Sequence, residues 1–425
     1  MERNPAGAAG ARRLAEIPRL GIVLALVGFL AELGGAMIVP IRFVFLVGVL
    51  SVSLPLAGGI ESLAAAGGTL MRVLARLIPG SRRPPRFAAL LLGYFLSHAS
   101  RPLLALAGSG PQALGLALLD RLGRGIQGPA RDTLLAEGTP PAVQPQTFAL
   151  HRVLVTLGAT AGSLVTAAIL TNTAGDLRAV FLWTAVPGVL SLLLCLAARP
   201  TPLPAAPLLP DAPPPPPTAL RIPHSALRTP HSVLGLRFWM FTVTATLFAL
   251  GSVPAAFPLF YALGLTHTLS SLPLLYGIYV VTYTLLVTPL GVLSDRQGPV
   301  PVLVVGYAAF GLIHAGWGLA TQPWQPWALF ILYGIYAAAT EGVGRGLARE
   351  LAPDAGPAAA LAWYDGLTAT ATLLAGLLGG LLWSAYGPGA TFGYAAWLGL
   401  AASFLLGVWG PWLRGVRPLP AAESP

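Results

Sequence analysis

Lysine is absent from this 425-residue chain, and acids are scarce: 15 Asp and Glu stand against 25 basic residues, all of them Arg. Charged residues make up 9% of the sequence, where soluble proteins average about 25%. A water-soluble domain of this length is thereby excluded. A single cysteine, Cys195, rules out an intrachain disulfide and a metal site built from several thiolates. His and carboxylate residues nowhere fall at metal-ligand spacing, no Gly-rich phosphate loop carries a Lys, and no nucleophile elbow is present. The chain therefore reads as a non-enzyme, not driven directly by ATP, and no cofactor or metal is expected. The missing Lys beside abundant Ala, Gly, Pro and Arg reads as coding bias rather than chemistry.

What is present is hydrophobic: 55% of residues, with a mean hydropathy of +0.73. A hydrocarbon core about 30 Å thick needs roughly 20 helical residues. Twelve stretches satisfy that length: 20–48, 52–77, 87–107, 111–136, 147–171, 178–198, 236–262, 271–294, 299–320, 325–349, 358–385 and 388–412. The expected fold is all-α and integral to the membrane, with twelve transmembrane helices in two pseudo-symmetric six-helix halves. Arg3, Arg12, Arg13 and Arg19 precede a first stretch that runs past Glu32 to Leu50 without a small-residue cleavage site. That reads as an uncleaved span rather than a signal peptide.

Arg positions set the orientation. The even-numbered connections and the tail hold nearly all of them, including Arg72, Arg76, Arg82, Arg83, Arg86, Arg131, Arg199, Arg221, Arg228, Arg237, Arg296, Arg345, Arg349, Arg414 and Arg417, whereas the opposite connections hold Arg178. The asymmetry places both termini in the cytoplasm of a multi-pass protein. It also explains the basic balance without nucleic acid, which is not an expected partner. The lipid bilayer, a small-molecule substrate and a proton are the expected partners, and the chain is expected to be a monomer. Residues 1–198 form the first bundle, and 199–235 a Pro-rich cytoplasmic linker, extended and without a core of its own. Residues 236–413 form the second bundle and 414–425 a cytoplasmic tail.

Charges inside apolar helices are costly and call for partners or a function. Asp120 and Arg124, four residues apart in span four, share a helix face with Gln127 and Arg131 and can pair. Arg124 reads either as a gating or substrate-binding cation or as half of a structural ion pair. Glu32 and Glu61 fall near mid-membrane in spans one and two. With Asp120 they are proton-coupling candidates, the alternative being salt bridges to Arg101 or Arg124. His98 joins them from span three. Arg42 is expected to snorkel outward. Arg131, Asp132, His151 and Arg152 form an inner-gate group in which His151 relays protons or bonds to Asp132. Gly158 and Gly162 serve close packing or bending. In the second half Glu341 and Arg345, again four apart, are expected to pair, and Asp295 and Arg296 to tie helix ends. Tyr276, Tyr279 and Tyr283 form a stripe in span eight, while Trp363, Tyr364 and Asp365 begin span eleven. These read as packing or as a cavity wall, in which aromatics with one carboxylate can hold amphipathic or cationic compounds; Arg101 and Arg124 are further substrate-cavity candidates. Trp324 and Trp327 read as interfacial anchors.

Several runs carry a family resemblance. Gly291–Gly298 (GVLSDRQG) resembles the loop signature of the major facilitator superfamily, Arg124–Gly128 (RGIQG) its span-four signature, and Gly158–Ser163 (GATAGS) the signature of its proton-driven antiporters. The run from Asp120 to Pro141 and the following FALHRVLVTLGA resemble a bacterial subgroup of that superfamily reading DRxGKGIRxxPRDALIADSxP and FGxHRAMDTLGA. The resemblance implies two parallel six-helix halves that alternate access around a central cavity. It also implies efflux of small organic molecules coupled to protons at a bacterial inner membrane. The chain departs from those patterns at Val155, where the subgroup has an acid, at Ser163, at 76–81, and at Ala255 and Tyr261. The missing acids motivate the alternative of a non-transporting sensing or interaction protein. Uptake by symport or uniport is a further alternative.

Overall fold

The computed structural model describes residues 16–63, 67, 86–197, 234–352 and 357–413. Residues 199–233 of the linker 199–235, the tail 414–425, the 76–81 signature loop and Arg3, Arg12 and Arg13 lie outside the described residues. The longer helices among the described residues are α1 (Arg19–Ile38), α2 (Arg86–Leu103), α3 (Gly110–Glu137), α4 (Gln144–Asn172), α5 (Leu177–Trp183), α6 (Ala185–Ala197), α7 (Leu236–Gly251), α8 (Ala256–Thr266), α9 (Ser271–Gln297), α10 (Pro299–Leu319), α11 (Gln325–Thr340), α12 (Val343–Glu350), α13 (Pro357–Tyr386) and α14 (Pro388–Leu413). Residues 54–63 are also helical, and no strand occurs among the described residues. The protein is a multi-pass membrane protein.

Ten helical stretches among the described residues are long and apolar enough to cross a bilayer. The difference from twelve has a physical reason. α3 carries Asp120, Arg121, Arg124, Arg131 and Asp132, so its composition is too charged to qualify, and half of 52–77 lies outside the described residues. Large apolar side chains such as Phe95, Leu285 and Phe404 point outward, 56%, 69% and 70% exposed. That is the surface a hydrocarbon solvent requires.

By contact, the chain divides into two compact units that interleave its halves: Met1–Ser53, Leu63–Pro217 and Ala256–Val281 in one, Leu54–Ser62, Thr218–Ala255 and Thr282–Pro425 in the other. In the first unit, glycine sets the helix spacing. A Cβ on Gly158 or Gly162 of α4 would lie 2.3 Å from the Phe29 or Leu33 carbonyl of α1. On Gly123 of α3 it would lie 2.5 Å from the Gly93 carbonyl and 2.7 Å from the Ser97 nitrogen of α2. Without side chains at these points, backbones come into direct contact. A buried cluster including Leu24, Val27, Leu90, Tyr94, Leu134 and Cys195 fills the space between α1, α2, α3 and α6.

The second unit is packed with rings. Phe248 stacks on Tyr307 at 3.8 Å, and Phe310 sits 5.1 Å from Tyr336 and 3.9 Å from His314. Trp317 and Phe392 lie 6.1 Å apart. Residues 54–62 pack in the same unit against α13, where a Cβ on Gly376 would be 2.2 Å from the Gly58 carbonyl. Span seven is divided into α7 and α8. Span ten is divided into α11 and α12 at Glu341 and Gly342, the glycine adopting φ +86°, a backbone state that side-chain-bearing residues rarely adopt.

Candidate functional site

The close crossing of α2 and α3 brings Ser97 and Arg101 against Asp120. Asp120 Oδ1 accepts hydrogen bonds from Ser97 Oγ at 2.6 Å and from Arg101 Nε at 3.3 Å. Its Oδ2 lies 3.3 Å from Arg124 Nε and 3.5 Å from Arg121 Nη2. One carboxylate thus meets three guanidinium groups, in a position 7% exposed. Arg101 is held on all sides: Nη1 donates to the Ala31 carbonyl at 2.7 Å, and Nη2 to Ser97 Oγ at 3.0 Å. His98 Nδ1 lies 3.4 Å from Arg101 Nη1, and its Nε2 lies 3.1 Å from Ser191 Oγ. Arg124 reaches α1, donating from Nη1 to Glu32 at 3.4 Å. Three helices are therefore joined through one charge system, and buried charges persist only where such compensation is provided.

A recess opens beside this system, lined by Gly35, Arg42, Arg101, Asp120, Arg121 and Arg124 among others. Gly35 gives the guanidiniums their room, since a Cβ there would lie 2.5 Å from Arg124 Nη2 and 3.6 Å from Arg101 Nη2. Gly67 accommodates Arg121 similarly, its added Cβ falling 3.2 Å from Arg121 Cγ. Arg42 does not snorkel outward. It is 6% exposed and faces the recess, because the chain turns at 39–41 and carries it back against α2 and α3.

Other sequence candidates are dispersed. Glu61 is 6% exposed and belongs to the second compact unit. Gln127 is buried, and its Oε1 has no hydrogen-bond partner among the described residues. Arg131 bonds to its neighbour Asp132 at 2.8 Å. The expected bond from His151 to Asp132 is absent among the described residues. His151 instead turns toward α1, where an added Cβ on Gly28 would meet its Nε2 at 2.8 Å. Arg152 is exposed. Tyr279 and Tyr276 pack together against Ala36 and Ala159 in the first unit, whereas Tyr283 belongs to the second.

The expected Glu341–Arg345 pair is also absent among the described residues. The helix break at Gly342 removes the i,i+4 geometry, and Arg345 Nη2 instead donates to Asp365 at 2.6 Å. Trp363 is 41% exposed and meets Trp239 edge-on at 5.8 Å. Asp295 and Arg296 are exposed in the last turn of α9, with no ion pair to either among the described residues. Ser97, Arg121 and Gly35 were missed as site residues. For Ser97 and Gly35 the one sequence signal was the density of small residues in spans three and one, and for Arg121 its charge beside Asp120 inside span four.

No family model matches the chain. An uncharacterized MFS-type transporter of Methanocaldococcus jannaschii is 26% identical over 402 residues, 92% of this chain and 95% of its own length. Uncharacterized proteins of Mycobacterium bovis and Mycobacterium tuberculosis are 32% identical over 157 residues, 36% of this chain and 38% of theirs. Among solved structures, the nucleoside transporter NupG superposes with a TM-score of 0.73 at 12% identity, covering 94% of this chain and 100% of its own. The peptide transporter POT in complex with sulfate gives a TM-score of 0.74 at 16% identity, covering 93% and 95%. No catalytic family is indicated by these relatives. Over nearly its whole length the chain is thus similar to an MFS-type transporter, and it shares the fold of the solved transporters.

Proposed function

We propose that this MFS-type membrane transporter is a secondary transporter that exports a small organic molecule by alternating access, coupled to protons. It would act at the bacterial inner membrane, with both termini in the cytoplasm. The observation that carries the reading is the Glu32–Arg124–Asp120–Arg101 system beside a recess, on a fold shared with nucleoside and peptide transporters. A scaffold that moved nothing would have no need of four arginines around an internal recess, since such charges are costly in a membrane.

Glu32 is the proton site in this reading. Its side chain is 31% exposed and makes one 3.4 Å contact to Arg124. It is less enclosed than Asp120 and has Arg124 as the partner it would release on protonation. Asp120, enclosed by three arginines and Ser97, acts as a fixed counter-ion that orients them. Glu61, placed in the other unit, is assigned no coupling role.

Reconstituted proteoliposomes loaded with a pH-reporting dye test the coupling. An outward solute gradient should move protons inward with the wild-type protein. Glu32→Gln should abolish the solute-dependent pH change while leaving solute–solute exchange intact. A full pH response in Glu32→Gln would remove Glu32 from the mechanism. Absence of exchange for every solute in a broad metabolite panel would count against transport itself.

A further inference from the structure

The recess carries an imbalance of charge that ion pairing within the spans does not absorb. Four guanidiniums line it, from Arg42, Arg101, Arg121 and Arg124, against the single lining carboxylate of Asp120. Glu32, paired with Arg124, adds a second negative charge. Even with Glu61 of the second unit counted beside Asp120 and Glu32, three acids stand against four guanidiniums, so at least one positive charge is in surplus. The surplus is one of charge rather than of hydrogen bonds, since Arg101 is fully engaged and Arg42 and Arg121 have interactions of their own.

The arginines differ in how firmly they are held. Arg101 has three donors committed to fixed acceptors. Arg124 makes one long hydrogen bond, at 3.4 Å to Glu32, and its buried Nε faces Asp120 at 3.3 Å without hydrogen-bond geometry. Its Nη2 lies over Gly35, where the missing side chain leaves the backbone open. A guanidinium is built to meet a carboxylate or phosphate with two parallel bonds. Two flanking cations, a recess and a planar donor with loose partners together form a receptor for an oxyanion.

We propose that the recess receives the carboxylate or phosphate group of an organic anion, with Arg124 as its principal contact and Arg42 and Arg121 supplying the flanking field. This assignment rests on the transport reading and names the substrate class for it. A cationic or neutral substrate would leave the surplus charge uncompensated at the centre of the first unit.

Thermal unfolding of the detergent-purified protein at constant ionic strength tests the assignment without knowledge of the substrate. The probes are inorganic phosphate, succinate and phenyl phosphate, with glycerol and putrescine as neutral and cationic counterparts. At least one oxyanion should raise the unfolding temperature of the wild type, and glycerol and putrescine should not. Arg124→Gln should weaken the apparent affinity about tenfold, because it deletes charge-assisted bonds. Arg124→Lys should retain part of the response and shows that the site is intact where Arg124→Gln folds poorly. Arg345→Gln, in the other unit, should behave as the wild type. No response to any oxyanion, an equal response in Arg124→Gln, or a matching response to putrescine overturns the proposal. The same measurement in nanodiscs separates two sources of the oxyanion. If phosphatidylglycerol discs abolish a response that phosphatidylcholine discs preserve, the occupant is a lipid headgroup and the solute assignment fails. Counterflow of neutral but not anionic solutes in proteoliposomes would sink the anion while sparing transport.

Discussion

The interiors of the two compact units are held by different forces. In the first, α2 and α3 enclose Asp120 with Ser97, Arg101, Arg121 and Arg124, and glycines bring the backbones close enough for those groups to meet. In the second, Phe248, Tyr307, Phe310, His314 and Phe392 pack ring against ring. Its one described ion pair, Arg345–Asp365, has an arginine side chain 44% exposed. Similar helical architecture therefore serves two purposes. Ring packing tolerates replacement because it depends on volume, whereas a compensated charge system fails when one member is removed.

The comparison breaks most readily at Asp120. Asp120→Asn leaves three guanidiniums without their shared counter-ion, and losing one partner of a buried ionic system costs about 3–5 kcal/mol. The expected outcome is a sharp fall in the monodisperse fraction on size exclusion, and a wild-type yield and unfolding temperature would show the network is not structural. Gly123→Ala comes next. Its methyl would press on the Gly93 carbonyl and the Ser97 nitrogen, both backbone, so the overpacking cost of about 1–3 kcal/mol cannot be relieved by a rotamer change. A lower unfolding temperature with unchanged expression is expected; an unchanged one would mean that α2 and α3 can separate freely. The smallest effect is expected from His314→Phe. His314 is fully buried among rings, bonded through Nδ1 to the Phe310 carbonyl at 2.9 Å, and its Nε2 has no partner among the described residues. Phenylalanine keeps a ring there but is somewhat larger, so the cost is mild overpacking, about 1 kcal/mol. A loss as large as that of Asp120→Asn would show that the second unit hides a polar function.

Span lengths made the membrane-spanning helices legible, because bilayer thickness acts directly on sequence. The Asp120–Arg124 pair was legible for a local reason, both residues lying on one unbroken helix. The same rule failed at Glu341 and Arg345, where Gly342 at φ +86° interrupts the helix, and a glycine in a Gly-rich run does not announce that state. Arg101–Asp120 is a contact between helices, set by where Gly93 and Gly123 cross, so spacing along the chain could not reveal it, whereas a salt bridge from Glu32 to Arg124 was one of the two sequence readings of that acid. Arg42 was misplaced because its position depends on the turn after α1 rather than on its depth in an ideal helix.

Cys195 has a practical bearing. It is completely enclosed, packed with Leu24, Leu90 and Tyr94. A thiol so placed is shielded from water-soluble maleimides, and no other thiol occurs in the chain. The natural protein is therefore already a silent background for site-directed spin or fluorophore labelling. Single cysteines introduced at exposed positions can report distances and solvent access without first removing the native one.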